Sequence, residues 1–172
     1  KYNYIYEAAQ IKEDEIILSA ISGTSMGSVI AALVACGIPL DTIEHKLISI
    51  EQKLSKDKTF YMPSHKLLPF SKERLEGGYV DGSLLEQMLQ EIFDEYNIKH
   101  ISDVKLPIAI TAVDIMTGKL VVFVSHPEKF VAADPSWIVI SDVDLSLAVR
   151  ASCSFPIVIA SVPYLDYKLI DG

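Results

Sequence analysis

The sequence predicts an α/β fold, in which helices pack in layers against a sheet. Two observations support this prediction. Apolar, strand-like runs alternate with helical patterns along the chain, and the first such run leads through a turn into a helix of small residues. With 172 residues, 50% of them apolar and 22% charged, the chain suits a single domain with a large core.

The individual elements follow from hydrophobic spacing and turn residues. Helices are predicted at 2–11, 26–36, from Pro39 through Leu54, 83–96 and 142–151. Strands are predicted at 16–21, 106–113, 119–124 and 167–170, with an extended segment at 157–162. Ser83-x-x-Glu86 predicts a capping box at the start of its helix. Residues 55–76 show no periodicity, which indicates a long excursion: a lid or binding loop, or a solvated insertion without a role.

The motif Gly23-Thr24-Ser25-Met26-Gly27 joins the first predicted strand to the next helix. A strand that passes straight into a helix forces the connecting residue into strained backbone angles, and the flanking glycines leave room for the chain to fold back. This is the pattern of a nucleophile elbow, which presents a serine above the end of the sheet. We therefore predict Ser25 as a catalytic nucleophile, with a structural Gly/Ser turn as the alternative.

A membrane span is the rival interpretation of this region, because residues 16–40 carry no charge. Small polar residues cluster at its middle, acidic residues flank both ends, and Gly37 and Pro39 end the helical pattern. These features favour a buried strand, turn and helix over a span. With no secretory signal at the start, a cytoplasmic location is expected.

Charge and cysteine content limit the classes of partner. A net charge of −8 argues against nucleic acid and against attraction to anionic lipid, so that any transient contact with a membrane surface must use apolar side chains. Cys36 and Cys153 are too few for a disulfide framework and are expected to be reduced. No metal-ligand spacing is present, and no cofactor is predicted. The oligomeric state is left open.

A serine needs a neighbouring base to accept its proton. None of the four histidines, at positions 45, 65, 100 and 126, follows a strand in a glycine-flanked turn, and each is predicted to be a solvated surface residue. Asp171-Gly172 follows an apolar strand, at the kind of position where α/β sites gather. Asp171 is thus the favoured base, and Asp81-Gly82 is the competing pair.

Four segments resemble the patatin-like phospholipase family, in the family's order: 21–28 with the elbow motif, 111–119 around Val113-Asp114, 150–156 ending in Phe155-Pro156, and Asp171-Gly172. The resemblance implies a three-layer α/β/α fold with a central, mostly parallel sheet. It also implies a lipid acyl hydrolase that uses a Ser25–Asp171 dyad without histidine and acts on phospholipids, lysophospholipids or simple esters.

The resemblance implies one domain over residues 1–172. In the family, a glycine-rich loop before the first helix supplies oxyanion-hole amides. This chain starts inside what resembles that helix, so we expect that loop to be missing, the Met26 amide to be a remaining donor, and the chain to be an excerpt. An acyltransferase with a histidine base and a non-catalytic lipid-binding domain are the open alternatives.

Overall fold

A computed structural model describes residues 18–56, 82–130, 134–155 and 159–172 of the chain. The helices are α1 (Met26–Ala35), α2 (Leu40–Lys56), α3 (Ser83–Asp94) and α4 (Leu145–Ser152). The strands are β1 (Ile21–Thr24), β2 (Ile108–Asp114), β3 (Leu120–Val124), β4 (Ile138–Ile140), β5 (Val162–Tyr164) and β6 (Tyr167–Asp171).

The six described strands form one sheet, with β2 at its centre. The order is β4-β3-β2-β6-β5, and β1 also pairs with β2. β1 runs parallel to β2 from Ile21 opposite Ile108 to Thr24 opposite Thr111, and β6 runs antiparallel to β2 from Ala112 onward. Two of the described pairs, β1–β2 and β3–β4, are parallel and three are antiparallel, so the described sheet is mixed.

The main core lies between one face of the sheet and the four described helices. Alternate residues of β2 face it, including Ile110 and Ala112, and they are joined there by Phe123 from β3 and Leu169 from β6. The opposite face carries a smaller cluster of Ala109, Val122 and Val124, with Phe130 and Trp137 packed against it. The α/β class is confirmed, and the described helices form a single layer on one side of the sheet.

Most predicted elements are present with small shifts at their ends. The helices predicted from Met26 and Pro39, the hairpin around residues 114–120 and the final strand are all confirmed. The uncharged stretch folds as β1, α1 and the start of α2, and no helix among the described residues is long and apolar enough to cross a membrane. The predicted helix at 2–11 and all of the 55–76 excursion past residue 56 lie outside the described residues.

Two local predictions are wrong. The first strand occupies Ile21–Thr24, because its pairing with β2 begins at Ile108, and Leu18–Ala20 are irregular. The capping box at Ser83 is not formed: Gly82 is the residue before the helix, and no side chain caps it. The Glu86 carboxylate instead accepts a hydrogen bond from Arg150 Nη1 at 2.6 Å, which joins α3 to α4.

Candidate active site

Strand register brings the ends of β1 and β6 together beside the same strand. β1 occupies the edge of β2 as far as Thr111, and β6 occupies that edge from Ala112 onward while running in the opposite direction. The two strands therefore meet end to end at their C-termini. Ser25 follows the last residue of β1, and Asp171 is the last residue of β6.

The backbone of Ser25 makes the sharp turn that the motif predicts. Its φ of 53° and ψ of −136° fall outside the regions that residues with a side chain favour. Gly23 permits the turn, because a Cβ there would lie 2.6 Å from the carbonyl oxygen of Gly27. Steric crowding does not require a glycine at position 27, since a Cβ there would meet nothing within 4 Å among the described residues.

Ser25 and Asp171 are joined by a direct hydrogen bond. The Oγ of Ser25 donates to Oδ2 of Asp171 over 2.7 Å, and both side chains are partly exposed. The amide of Asp171 donates in turn to the carbonyl oxygen of Ser154, just after α4. Gly172 lies against β2, where a Cβ would come within 2.6 Å of Thr111 Oγ1, so the glycine of the Asp-Gly pair is required by this close approach.

Buried serines hold the elbow in place, and the sequence analysis missed them. Ser152, the last residue of α4, accepts a hydrogen bond from the Ser25 amide at 2.9 Å and is fully buried. Ser28 Oγ donates to the Ser25 carbonyl oxygen at 2.6 Å. In the sequence, residues 150–156 indicate only the resemblance to the family. Ser152 and Ser154, two small polar residues near the end of the predicted helix, were the available signal that this segment contributes to the site.

The elbow motif also places the N-terminus of α1 beside Ser25. The first amides of a helix have no partner within the helix, and its dipole favours negative charge there. Met26, the first residue of α1, is 54% exposed. The second motif residue, Thr24, lies on the sheet face opposite the main core, where its Oγ1 is 2.6 Å from Thr111 Oγ1.

The described histidines make contacts elsewhere. His45 is exposed on α2, and His126 Nδ1 lies 2.7 Å from Ser125 Oγ. His100 is only partly exposed, with Nε2 3.3 Å from Asp144 Oδ1, and it is thus less solvated than predicted. His65 and Asp81 lie outside the described residues. Within the described parts of the chain, no group of three or more His, Cys, Asp and Glu residues could hold a metal ion.

Both cysteines are unpaired and buried. Burial raises the pKa of the Cys36 thiol to about 12, an effect that Lys105 partly offsets. Burial also raises the pKa of the Cys153 thiol to about 11, and the nearby Asp171 carboxylate adds to the increase. Cys153 Sγ lies 3.8 Å from Ser28 Oγ, at the back of the elbow. Neither thiol is in the electropositive, accessible setting of a reactive cysteine.

A serine on a strained turn between a strand and a helix is how α/β-hydrolases present their nucleophile, and here its hydrogen-bond partner is a carboxylate. A family model described as patatin-like phospholipase matches residues 6–172. The chain belongs to this family, which confirms the resemblance found in the sequence. Membership supports lipid acyl hydrolase activity in general.

Proposed function

We propose that the protein is a serine lipid acyl hydrolase of the phospholipase A, lysophospholipase or esterase type, which cleaves carboxylic ester bonds through a Ser25–Asp171 dyad. The observation that carries this proposal is the 2.7 Å hydrogen bond from Ser25 Oγ to Asp171 Oδ2, at the N-terminus of α1. In this geometry a carboxylate is positioned to accept the proton of the nucleophile. Family membership supports lipids as the substrate class.

The reaction proceeds in two halves. Ser25 Oγ attacks the ester carbonyl carbon while its proton passes to Asp171, and the resulting tetrahedral intermediate collapses as Asp171 returns the proton to the departing alcohol. The acyl group is then bound to Ser25. Water attacks this acyl-enzyme with Asp171 again as base, which releases the fatty acid and restores the serine.

The negative charge on the carbonyl oxygen needs hydrogen-bond donors. The Ser25 amide is directed to Ser152 and is therefore unsuited to this role. The next amide, that of Met26, stands at the first position of α1 and is our choice of donor. None of the described residues lies within 4 Å of where a Gly27 Cβ would be, which supports space for the substrate beside Met26.

Labelling with a fluorophosphonate probe, together with hydrolysis of a soluble ester, tests the two assignments. Ser25→Ala should abolish labelling and lower kcat on the order of 10³-fold or more, and Asp171→Asn should be nearly as damaging. The double variant should be little worse than either, because the two groups act as a unit. Matched controls are Ser22→Ala in β1 and Asp166→Asn at an exposed turn, both of which should keep full activity.

The alternatives predict different outcomes. Loss of activity in a folded His45→Ala, His65→Ala, His100→Ala or His126→Ala variant would contradict the dyad and favour an acyltransferase-like histidine base. Preferential transfer of the acyl group to an added alcohol, rather than to water, would identify an acyltransferase. Labelling of Ser25→Ala at the parent's rate would overturn the choice of nucleophile, and lipid binding without any labelling of the parent would favour a non-catalytic domain.

A further inference from the structure

Several of the most exposed apolar side chains in the described part of the chain lie on two hairpins. Ile115 and Met116 lie in the turn between β2 and β3, and Leu165 lies in the turn between β5 and β6. Met116 is 73% exposed and Leu165 is 75% exposed. We refer to Ile115, Met116 and Leu165 as the hairpin tips.

The strand register places the hairpin tips next to one another, beyond the candidate active site in the direction in which β1 runs. The Ile115 amide donates to the Lys168 carbonyl oxygen at 2.9 Å, so the first turn runs beside the start of β6, where the second turn ends. Asp171 pairs with Ala112, three residues before Ile115 on β2. At about 3.3 Å per residue, the tips stand roughly 10 Å beyond the Ser25–Asp171 pair, in the direction in which β1 runs.

The requirements of the fold do not explain why a leucine stands at position 165. It is the first residue of a two-residue connection between Tyr164 and Tyr167, and its φ is 51°. Glycine, asparagine and aspartate dominate such left-handed turn positions, because other side chains crowd the backbone there. Leucine is therefore unfavourable at this position, and its largely exposed side chain recovers little by packing. Such a combination is expected where the side chain meets a surface other than water.

We propose that the hairpin tips enter the surface of a zwitterionic phospholipid bilayer and bring Ser25 to its ester substrate, an inference that rests on the proposed function. The net charge of −8 argues against attraction to anionic lipid, so that binding must come from apolar insertion. Lys119 and Lys168 beside the turns supply cations for the headgroup phosphates. Met26, which directly follows Ser25, adds an exposed apolar side chain next to the nucleophile.

The test is co-sedimentation with phosphatidylcholine vesicles. All proteins carry Ser25→Ala, so that the lipid is not hydrolysed. Met116→Gln with Leu165→Asn removes the most exposed apolar tips, and asparagine suits the left-handed backbone, so that loss of the fold is not expected. The vesicle partition coefficient of this variant should be roughly tenfold or more below that of the protein with Ser25→Ala alone, because two apolar side chains no longer insert.

Leu40→Asn is the matched control. Leu40 is also 75% exposed, but it lies close to the end of α1, where Ala35 accepts hydrogen bonds from Lys105 and Leu106 just before β2 begins. It is thus at the opposite end of the sheet, and Leu40→Asn should leave vesicle binding unchanged. With Ser25 intact, the hairpin variant should hydrolyse a soluble short-chain ester at the parent's rate, because its substitutions lie away from the dyad.

Three outcomes would overturn the proposal: a parent that does not bind vesicles, a hairpin variant that binds as well as the parent, or an equal loss in Leu40→Asn. Self-association of the parent that the hairpin variant abolishes, with vesicle binding unchanged, would assign the surface to a second copy of the chain. Failure of the proposed function can be distinguished from failure of this proposal. If the hydrolase proposal is wrong, the parent will not hydrolyse esters, and the vesicle measurements on the Ser25→Ala proteins will still decide whether the hairpin tips bind the bilayer.

Discussion

Ser25 holds a backbone conformation that costs on the order of 1–3 kcal/mol, and its neighbours must supply that free energy. Ser152 accepts its amide hydrogen, Ser28 donates to its carbonyl oxygen, and Gly23 lets the following turn pass closely. Two residues after Ser152, the carbonyl oxygen of Ser154 accepts the hydrogen bond from the Asp171 amide. One short stretch of chain therefore fixes both members of the proposed dyad.

We predict that Ser152→Ala lowers kcat for a soluble ester on the order of 10–100-fold, with little change in KM. Removal of the acceptor lets the Ser25 amide and its Oγ shift, and a displacement of about 1 Å at a reacting group can cost about 10²-fold. Steady-state kinetics and the rate of fluorophosphonate labelling measure the effect. A purely structural role would lower stability and leave both rates unchanged.

Ser146→Ala is the matched control for this substitution. Ser146 is also buried on α4, but its hydroxyl donates to Gln90 on α3, away from the elbow. Both variants should lose similar stability in urea, and only Ser152→Ala should lose kcat. Equal kinetics for the two variants would remove Ser152 from the positioning of Ser25.

At this scale the sequence indicated Ser25 and Asp171 as candidate residues, because each stands in a short, local motif. Ser152 could not be identified in the same way. A buried serine near the end of a helix resembles any small core residue, and its partner lies 127 residues earlier in the chain. Only the three-dimensional packing of α4 against the elbow reveals its role.

At the scale of the elements, Asp114 ties the β2–β3 hairpin to the start of β6. Its carboxylate accepts hydrogen bonds from Thr117 Oγ1 at 2.6 Å, the Thr117 amide at 3.1 Å and the Lys168 amide at 3.0 Å. These bonds, led by that from the Thr117 hydroxyl, lower the pKa of Asp114 against the opposing effect of burial. The strand that ends in Asp171 is thus anchored at its first residues.

We predict that Asp114→Ala lowers the free energy of unfolding by more than about 2 kcal/mol at pH 7, because it leaves several donors without an acceptor. Since the folded-state pKa of Asp114 is lowered, its contribution is complete above the ordinary pKa of about 3.9 and is lost as the pH falls through the folded value. The difference between parent and variant should therefore be constant above about pH 5 and narrow below about pH 4. Urea unfolding at several pH values measures it.

Asp142→Ala is the control, because the Asp142 side chain is 97% exposed. It should change stability by less than about 0.5 kcal/mol at every pH. A difference between parent and Asp114→Ala that is small at pH 7, or that widens in acid, would contradict the anchoring role of Asp114.

Sequence pattern predicted the long elements well and the short ones poorly. α1 is a run of ten mostly small and apolar residues that follows a recognisable turn motif, and α2 has apolar residues spaced by three or four over 17 residues. β4 and β5 have only three residues each, which is too short for a periodic pattern to be detected. The shared edge of β2 was also beyond prediction. Periodicity shows which face of a strand is buried, but not which partner lies beside each half of it.

At the scale of the whole molecule, the two thiols report on the integrity of the core. Cys36 and Cys153 are the only cysteines in the chain, and both are buried with raised pKa values. We predict that neither reacts with Ellman's reagent at pH 8 until urea reaches the unfolding transition. Because unfolding returns the thiols to a pKa of about 8.5, stability should also decline as the pH rises above that value.

Comparing the Cys36→Ser and Cys153→Ser variants shows which of the two thiols is responsible for any reaction with Ellman's reagent. Rapid modification of either thiol in the folded protein would contradict the burial on which this prediction depends, and so would a disulfide found by mass spectrometry in protein purified without oxidant.

The end-to-end meeting of β1 and β6 has a consequence for the protein during its synthesis. The hydrogen bond between Ser25 and Asp171 spans 146 residues of chain. At translation speeds of about 5–20 residues per second, Ser25 leaves the ribosome roughly 7–30 s before its partner. Throughout that interval the nascent chain carries a serine without its proposed base. Under the proposed mechanism, Ser25 therefore stays without its base until β6 has docked against β2.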